Sequence, residues 1–168
     1  EIHRLLEFRR VLFRSGTAAG DYVLTVSGTG NYTGTQPLDW SIAKVTLNIT
    51  ADDKAVTYGD PVPALTASFA GFVNGETEEV LGGTPYITTT YTGGSAVGTY
   101  PIAIGGYNSD NYIPIYSSGT VTVGPASFTA AVSGTYMYSG AEQTVSYTVT
   151  GVDAMVPGND YTVTGDKG

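Results

Sequence analysis

The sequence contains no cysteine and a single histidine. Without cysteine there is no disulfide, no thiolate metal site and no thiol nucleophile. The lone His3 lies in an atypical leader, so a Ser-His-Asp or Cys-His device cannot be assembled from the rest of the chain. Basic residues are also scarce: Lys and Arg number seven against fifteen Asp and Glu, giving a formal charge of −8. Four of the seven (Arg4, Arg9, Arg10, Arg14) and two of the fifteen (Glu1, Glu7) fall in the first fifteen positions. From Gly16 onward, Lys44, Lys54 and Lys167 face thirteen carboxylates, a surface that repels phosphate backbones and excludes nucleic acid as a partner. No apolar run approaches the roughly 20 residues of a membrane-spanning helix, so this segment does not insert into a membrane that way.

What remains is rich in residues that favour extended backbone and turns, with 23 Gly and 13 Tyr among many Thr and Val. Alternation is clear from Val45, where Val45, Leu47 and Ile49 share one face of a strand and Thr46, Asn48 and Thr50 the other. Similar patterns mark strands over residues 20–27, 38–42, 64–69, 86–91, 100–104, 112–116 and 120–123. Further strands follow around Phe128, Ala130 and Val132, around Val145, Tyr147 and Val149, and over 161–163. One stretch breaks the pattern: Asn74-Gly-Glu-Thr-Glu-Glu-Val-Leu81 offers an amide cap and then acidic residues, predicting a helix of one or two turns. The expected class is all-β, mainly strand with one short helix.

Residues 1–15 stand apart, rich in Arg and Leu and lacking Gly and Thr. Arg10-Val-Leu-Phe-Arg-Ser15 resembles the translation of a sequencing-adapter end, and 1–15 is set aside as a non-native leader. Beyond it the chain repeats. Gly20-Asp-Tyr22 corresponds to Gly98-Thr-Tyr100, Asn31-Tyr32 to Asn111-Tyr112, Trp40-Ser-Ile42 to Val121-Thr-Val123, and Val56-Thr-Tyr58-Gly59 to Tyr136-Met-Tyr138-Ser139. The spacing of about 80 residues is that of a domain, not of a solenoid. The expected organisation is the C-terminal part of one β repeat over 16–43, a complete module over 44–124, and the N-terminal part of a third repeat over 125–168.

In the central module Ile49-Thr-Ala-Asp-Asp-Lys-Ala-Val-Thr-Tyr-Gly-Asp60 is followed by Gly71-Phe-Val-Asn-Gly-Glu-Thr77, Val97-Gly-Thr-Tyr-Pro-Ile102 and Asn111-Tyr112. This series resembles the MBG domain of the YGX type, over about half the chain. The flanking pieces resemble bacterial Ig-like and MBG-like repeats more loosely, since Tyr138-Ser139-Gly140 departs from the Tyr-Gly-Asp pattern. The resemblance implies a tandem array of small β domains in a bacterial cell-surface or secreted protein, and implies no catalytic residue. Two topologies fit: an Ig-like sandwich of seven short strands, or a β-grasp-like module with a short helix.

Each polar or aromatic motif has a functional and a structural reading. Tyr58-Gly59-Asp60 could present a ring and a carboxylate to a sugar, but Gly59 suits a positive φ and Asp60 precedes Pro61, so a strand-ending corner with Tyr58 over the core is expected. Trp40 could stack on carbohydrate, yet its strand face carries Leu38 and Ile42, which predicts a core position. Asp52-Asp53 and Ser109-Asp-Asn111 offer oxygens to Ca²⁺ without the spacing of a known calcium loop, and read as turns. Lys44 and Lys54 lack the neighbouring amide and acid that an isopeptide bond requires, and Glu78 and Glu79 belong to an exposed turn. No catalytic, cofactor-binding or metal residue is assigned and no cofactor is expected. The expected role is a non-catalytic spacer whose partners are neighbouring repeats of the same chain; the alternative is an adhesive module for a host glycan or surface protein.

The module boundaries carry a test. Residues 44–124 hold both the first and last alternating strands of the repeat, whereas 125–168 lack the closing Gly-Thr-Tyr-Pro and Asn-Tyr strands. Ordering backbone costs roughly 1–2 kcal/mol per residue, which an incomplete sheet does not offset. Urea titration of the two fragments, followed by circular dichroism, should give a cooperative transition for 44–124 and none for 125–168; the reverse pattern would move the boundaries.

Overall fold

The computed structural model describes residues 16–151 and 161–165; the leader set aside above lies outside them. Eleven strands follow one another: β1 (Gly20–Ser27), β2 (Thr35–Ile42), β3 (Val45–Ala51), β4 (Lys54–Thr57), β5 (Ala67–Ala70), β6 (Gly82–Thr89), β7 (Gly98–Asn108), β8 (Tyr112–Ser117), β9 (Gly119–Gly124), β10 (Thr129–Ser133) and β11 (Ser146–Thr150). They form a β1-β2 sheet, a β10-β11 sheet, a three-stranded sheet ordered β5-β3-β8 and a four-stranded sheet ordered β4-β9-β7-β6. The class is all-β. The only helical backbone among the described residues is the three-residue 3-10 turn Glu78–Val80. A β-grasp needs a helix to lie across its sheet, so the multi-sheet, Ig-like alternative is the one these strands form.

The expected cap at Asn74 is not there. Asn74 has φ 56° and Gly75 φ 73°, and Glu76 N–H donates to Val73 O at 3.0 Å, so Asn-Gly makes a tight turn of left-handed residues. The 3-10 turn begins after Thr77, whose extended backbone makes no side-chain cap. Asparagine tolerates the left-handed region and glycine prefers it, so turn chemistry overrides the capping pattern.

One compact unit is formed by the described residues of Glu1–Asn48 with Ala70–Gly83 and Tyr107–Ile115. In it β1 and β2 pair antiparallel, with Gly20 opposite Ile42 and Tyr22 opposite Trp40. The Tyr22 and Trp40 rings stack with centroids 4.6 Å apart, a pairing worth about 0.5–1.5 kcal/mol beyond the area it buries. Leu47 and Tyr112 are fully buried in this unit, Leu47 contributing about 1.5–3 kcal/mol by leaving water.

The other unit comprises Ile49–Phe69, Thr84–Gly106 and Tyr116–Gly168. Its core is Ile49, Ala51, Ile102, Ile104, Val121 and Val123, the inward residues of alternating strands, together with Tyr91 from the connection after β6. β7 and β9 run antiparallel with Tyr100 opposite Val121, while β4 and β9 run parallel with Lys54 opposite Val121. A parallel pair cannot be closed by a hairpin, and the whole stretch between Thr57 and Gly119 serves as its crossover. Two chain passages change sheet at the same place: β3 becomes β4 across Asp52-Asp53, and β8 becomes β9 across Ser118.

Local geometry recurs about 80 residues apart. Tyr22 Oη donates to Ala18 O at 2.6 Å and Tyr100 Oη to Ala96 O at 2.8 Å, the same bond to the carbonyl four residues earlier. The Gly opposite the strand end and the Tyr two residues on pair alike in both copies: Gly20 with Ile42 and Tyr22 with Trp40, Gly98 with Val123 and Tyr100 with Val121. Likewise β10 pairs with β11 as β3 pairs with β5, about 80 residues earlier.

Candidate functional site

The Tyr58-Gly59-Asp60 corner follows from its residues. Gly59 takes φ 92°, which the third position of this turn requires and a side chain would resist. Asp60 closes the turn twice, its N–H donating to Thr57 O at 3.0 Å and its Oδ2 accepting Thr57 N–H at 2.7 Å. Tyr58 is half-buried and its N–H continues the ladder to Gly124 O at 2.8 Å. The ring beneath the corner is a different one: Tyr91, 2% exposed, donates its hydroxyl to Asp60 O at 2.6 Å. Burial, with the Asp60 carboxylate and Tyr100 nearby, pushes the Tyr91 phenol above its ordinary pKa. The carbonyl and carboxylate of Asp60 are thus both occupied within the fold.

The second signature, Gly71-Phe72-Val73-Asn74-Gly75-Glu76, wraps one side chain. Tyr112 is 1% exposed; its hydroxyl accepts Val73 N–H at 3.1 Å and donates to a Glu76 carboxylate oxygen, and Phe72 meets its ring edge-on at 5.3 Å. The Asn74-Gly75 turn is what brings Val73 and Glu76 to the same oxygen. At Gly71 the chain passes so close to β3 that a Cβ would stand 2.6 Å from Thr46 O. The bond to Glu76 holds the Tyr112 proton on, raising its pKa. Both motifs therefore build the fold.

The two acidic residues at the change of sheet point to different strands. Asp52 accepts Thr66 Oγ1 and Ser68 Oγ, each at 2.6 Å, while Lys54 Nζ donates to Thr66 Oγ1 at 2.7 Å. Asp53 Oδ1 accepts Thr120 N–H at 2.7 Å and Thr120 Oγ1–H at 2.9 Å, pinning the start of β9. With these oxygens committed to hydroxyls and an amide on two strands, they do not converge on a common point, and no group of three metal-ligating side chains occurs among the described residues. Ser109-Asp110-Asn111 is a tight turn, its Ser109 Oγ accepting Asn111 N–H at 3.1 Å and Tyr112 N–H at 3.2 Å. Lys44 Nζ donates to Ser109 O at 2.9 Å, so one lysine bonds a backbone carbonyl and the other a hydroxyl.

Trp40 is half-buried against Tyr22, and of its expected face-mates Ile42 is half-buried while Leu38 is exposed. A two-stranded sheet covers one face of the indole by cross-strand stacking and leaves Leu38 to solvent, so the expected core around Trp40 is only partial. Glu78 and Glu79 are exposed on the 3-10 turn. An open apolar hollow of about 600 Å³ lies against β10 and β11, lined among others by Phe128, Val132, Tyr147 and Tyr161. Its lining carries no carboxylate, amine or imidazole and is mainly apolar, with Thr162 and Thr164 among its residues. Sequence reasoning did not anticipate the bonds of Tyr91 and Tyr112, whose partners lie 31 and 36 residues away. The available signal was that each is a tyrosine in a strand context near a turn motif.

What these elements define is a small tyrosine-braced all-β module whose recurrent polar residues are spent on its own turns. The model of the family described as MBG domain (YGX type) matches residues 47–122, and this central module is an MBG domain of that type. Such domains are repeat modules of bacterial surface proteins. Neither the curated proteins nor the solved structures compared with the chain give a match. No helix among the described residues is long and apolar enough to cross a membrane.

The hydroxyls of Ser68 and Thr66, in that order, and the nearby Lys54 ammonium hold the Asp52 carboxyl below its ordinary pKa. A carboxyl whose folded pKa is depressed contributes stability that is present above its unfolded pKa of about 3.9 and lost as pH falls through the folded value. Asp52→Asn should therefore have a lower Tm than wild type at pH 7 and lose less of it between pH 5 and pH 3; calorimetry showing parallel acid limbs for the two proteins would refute this.

Proposed function

We propose that the chain is a non-catalytic spacer, a run of β repeats in the stalk of an extracellular bacterial surface or secreted protein that holds a distal domain away from the envelope. The observation that carries this reading is that the signature residues of the central module spend their polar atoms on one another: Glu76 and Val73 on Tyr112, Asp60 on Thr57 and Tyr91, Asp53 on Thr120. A binding module would hold some of these groups toward solvent for a ligand. Among the described residues no buried side-chain nitrogen or oxygen lacks a partner. Polar groups spent in this way support the reading of a passive spacer.

Adhesion to a host glycan or surface protein is the second reading, and exposed aromatics favour it, chiefly Tyr138 at 99% and Tyr32 at 74% exposure. Tyr32 lies alone in the β1–β2 loop, and although Tyr136 lines one hollow with Tyr138, its hydroxyl is spent on Ser133 O and Ser146 N–H. The purified chain on a glycan array should show no saturable micromolar ligand and no turnover of glycoside or peptide substrates. A micromolar glycan lost on Trp40→Ala or Tyr138→Ala, with circular dichroism unchanged, would replace the spacer with an adhesin.

A further inference from the structure

Ala19, just ahead of β1, donates its N–H to Asn111 Oδ1 at 2.8 Å, a half-buried bond between residues 92 apart in sequence. The asparagine that accepts it is held firmly at its base. Its own N–H and that of Tyr112 both bond Ser109 Oγ, and its carbonyl accepts Val45 N–H at 2.9 Å. Lys44 Nζ adds a bond to Ser109 O. A single turn, Ser109-Asp110-Asn111, thus holds the backbone entering the β1–β2 hairpin and the backbone leaving it, because only Ala43 and Lys44 separate β2 from β3. A two-residue connection with a backbone bond at its far end and a side-chain bond across it has little freedom to hinge.

The repeat turns this local contact into a rule for the array. Asn31 is the counterpart of Asn111, and Val97, directly before Gly98, is the counterpart of Ala19. Both are exposed. Within one repeat the donor Val97 directly precedes β7 and the acceptor Asn111 follows it by three residues, so they stand at opposite ends of one strand; the contact is head-to-tail, and such a contact propagates along a chain without closing on itself. We propose that Asn111 is a latch that ties the central module to the repeat before it, and that the partner it fits is the free backbone N–H preceding the Gly-x-Tyr strand of that repeat. Asn31 carries the same carboxamide toward a repeat on its N-terminal side, and Val97 N–H is the acceptor's target for a repeat on the C-terminal side. Latched in this way, the short connection between neighbouring repeats resists hinging.

This inference rests on the tandem reading of the chain but not on the spacer role: without the latch the array would be a hinged string of modules, with glycan binding unaffected either way. Amide hydrogen exchange and ¹⁵N relaxation on the full chain test it, comparing wild type with Asn111→Ala and Asn111→Asp. Asn111→Ala should speed exchange at Ala19 by tenfold or more and raise the amplitude of fast motion at Ala19 and at the Ala43-Lys44 link, while Val121 and its neighbours keep their protection. Asn111→Asp retains an acceptor oxygen and should keep Ala19 protected. Unchanged Ala19 exchange in Asn111→Ala would overturn the proposal. If Asn111→Ala also exposes β9, Asn111→Asp decides: protection retained at Ala19 supports the latch, and protection lost there with β9 intact overturns it.

Discussion

The hydroxyl of Tyr112 is the point on which the central module turns. A tyrosine at the start of β8 is buried to 1% exposure, and its oxygen must then find partners, because an unpaired hydroxyl out of water costs more than a hydrogen bond returns. The chain meets that demand with a loop from far upstream. Val73 supplies a backbone N–H and Glu76 a carboxylate, and the left-handed Asn74-Gly75 pair bends the loop so that both reach one atom. Phe72 seals the ring edge and Gly71 lets the loop pass β3 at a distance no side chain permits. A sequence signature spread over six residues is thereby accounted for by one buried oxygen.

The carboxylates elsewhere obey the same logic in a chain short of cations. With three lysines from Gly16 onward, ion pairs cannot satisfy thirteen acids, and those that fix the turns accept hydroxyls and backbone amides instead. Asp52 takes Thr66 and Ser68, Asp53 takes Thr120, and Asp60 takes Thr57. These bonds fall where β3 becomes β4, where β9 starts and where β4 ends, so short charged hydrogen bonds mark the places where the chain changes direction or sheet. The abundance of Thr and Ser thus has a second use beyond β propensity.

Much of the fold was legible because strand alternation is a local signal. Leu47, Ile49 and Ala51 follow one another on the buried face of β3 as period two requires, and Ile102, Ile104, Val121 and Val123 do the same on β7 and β9. The strand β4 was legible only through the corner that ends it, since four residues are too few to show a period. The Asn74 cap failed because an amide followed by acids and an Asn-Gly turn share the same letters, and the glycine decides between them. Trp40 was placed with Leu38 and Ile42 by face alone, whereas its nearest neighbour is Tyr22 across the hairpin. Tyr91 and Tyr112 were beyond reach, because which tyrosine lies beneath which turn depends on pairings dozens of residues long. The Gly-x-Tyr matches in sequence are the two tyrosines that bond back to Ala18 and Ala96.

That the family signature is a brace around Tyr112, and not a ligand site, is tested most directly by a double-mutant cycle on the full chain. Tyr112→Phe removes the hydroxyl and leaves Val73 N–H and the Glu76 carboxylate without it; Glu76→Ala removes the acceptor from the other side. Each single variant should lower Tm by about 5 °C or more, on the scale by which a domain of this size responds to a lost buried bond. The double variant should fall by clearly less than the sum, because both changes break the same contact. Additive losses, or a Tyr112→Phe protein that melts with the wild type, would contradict the account.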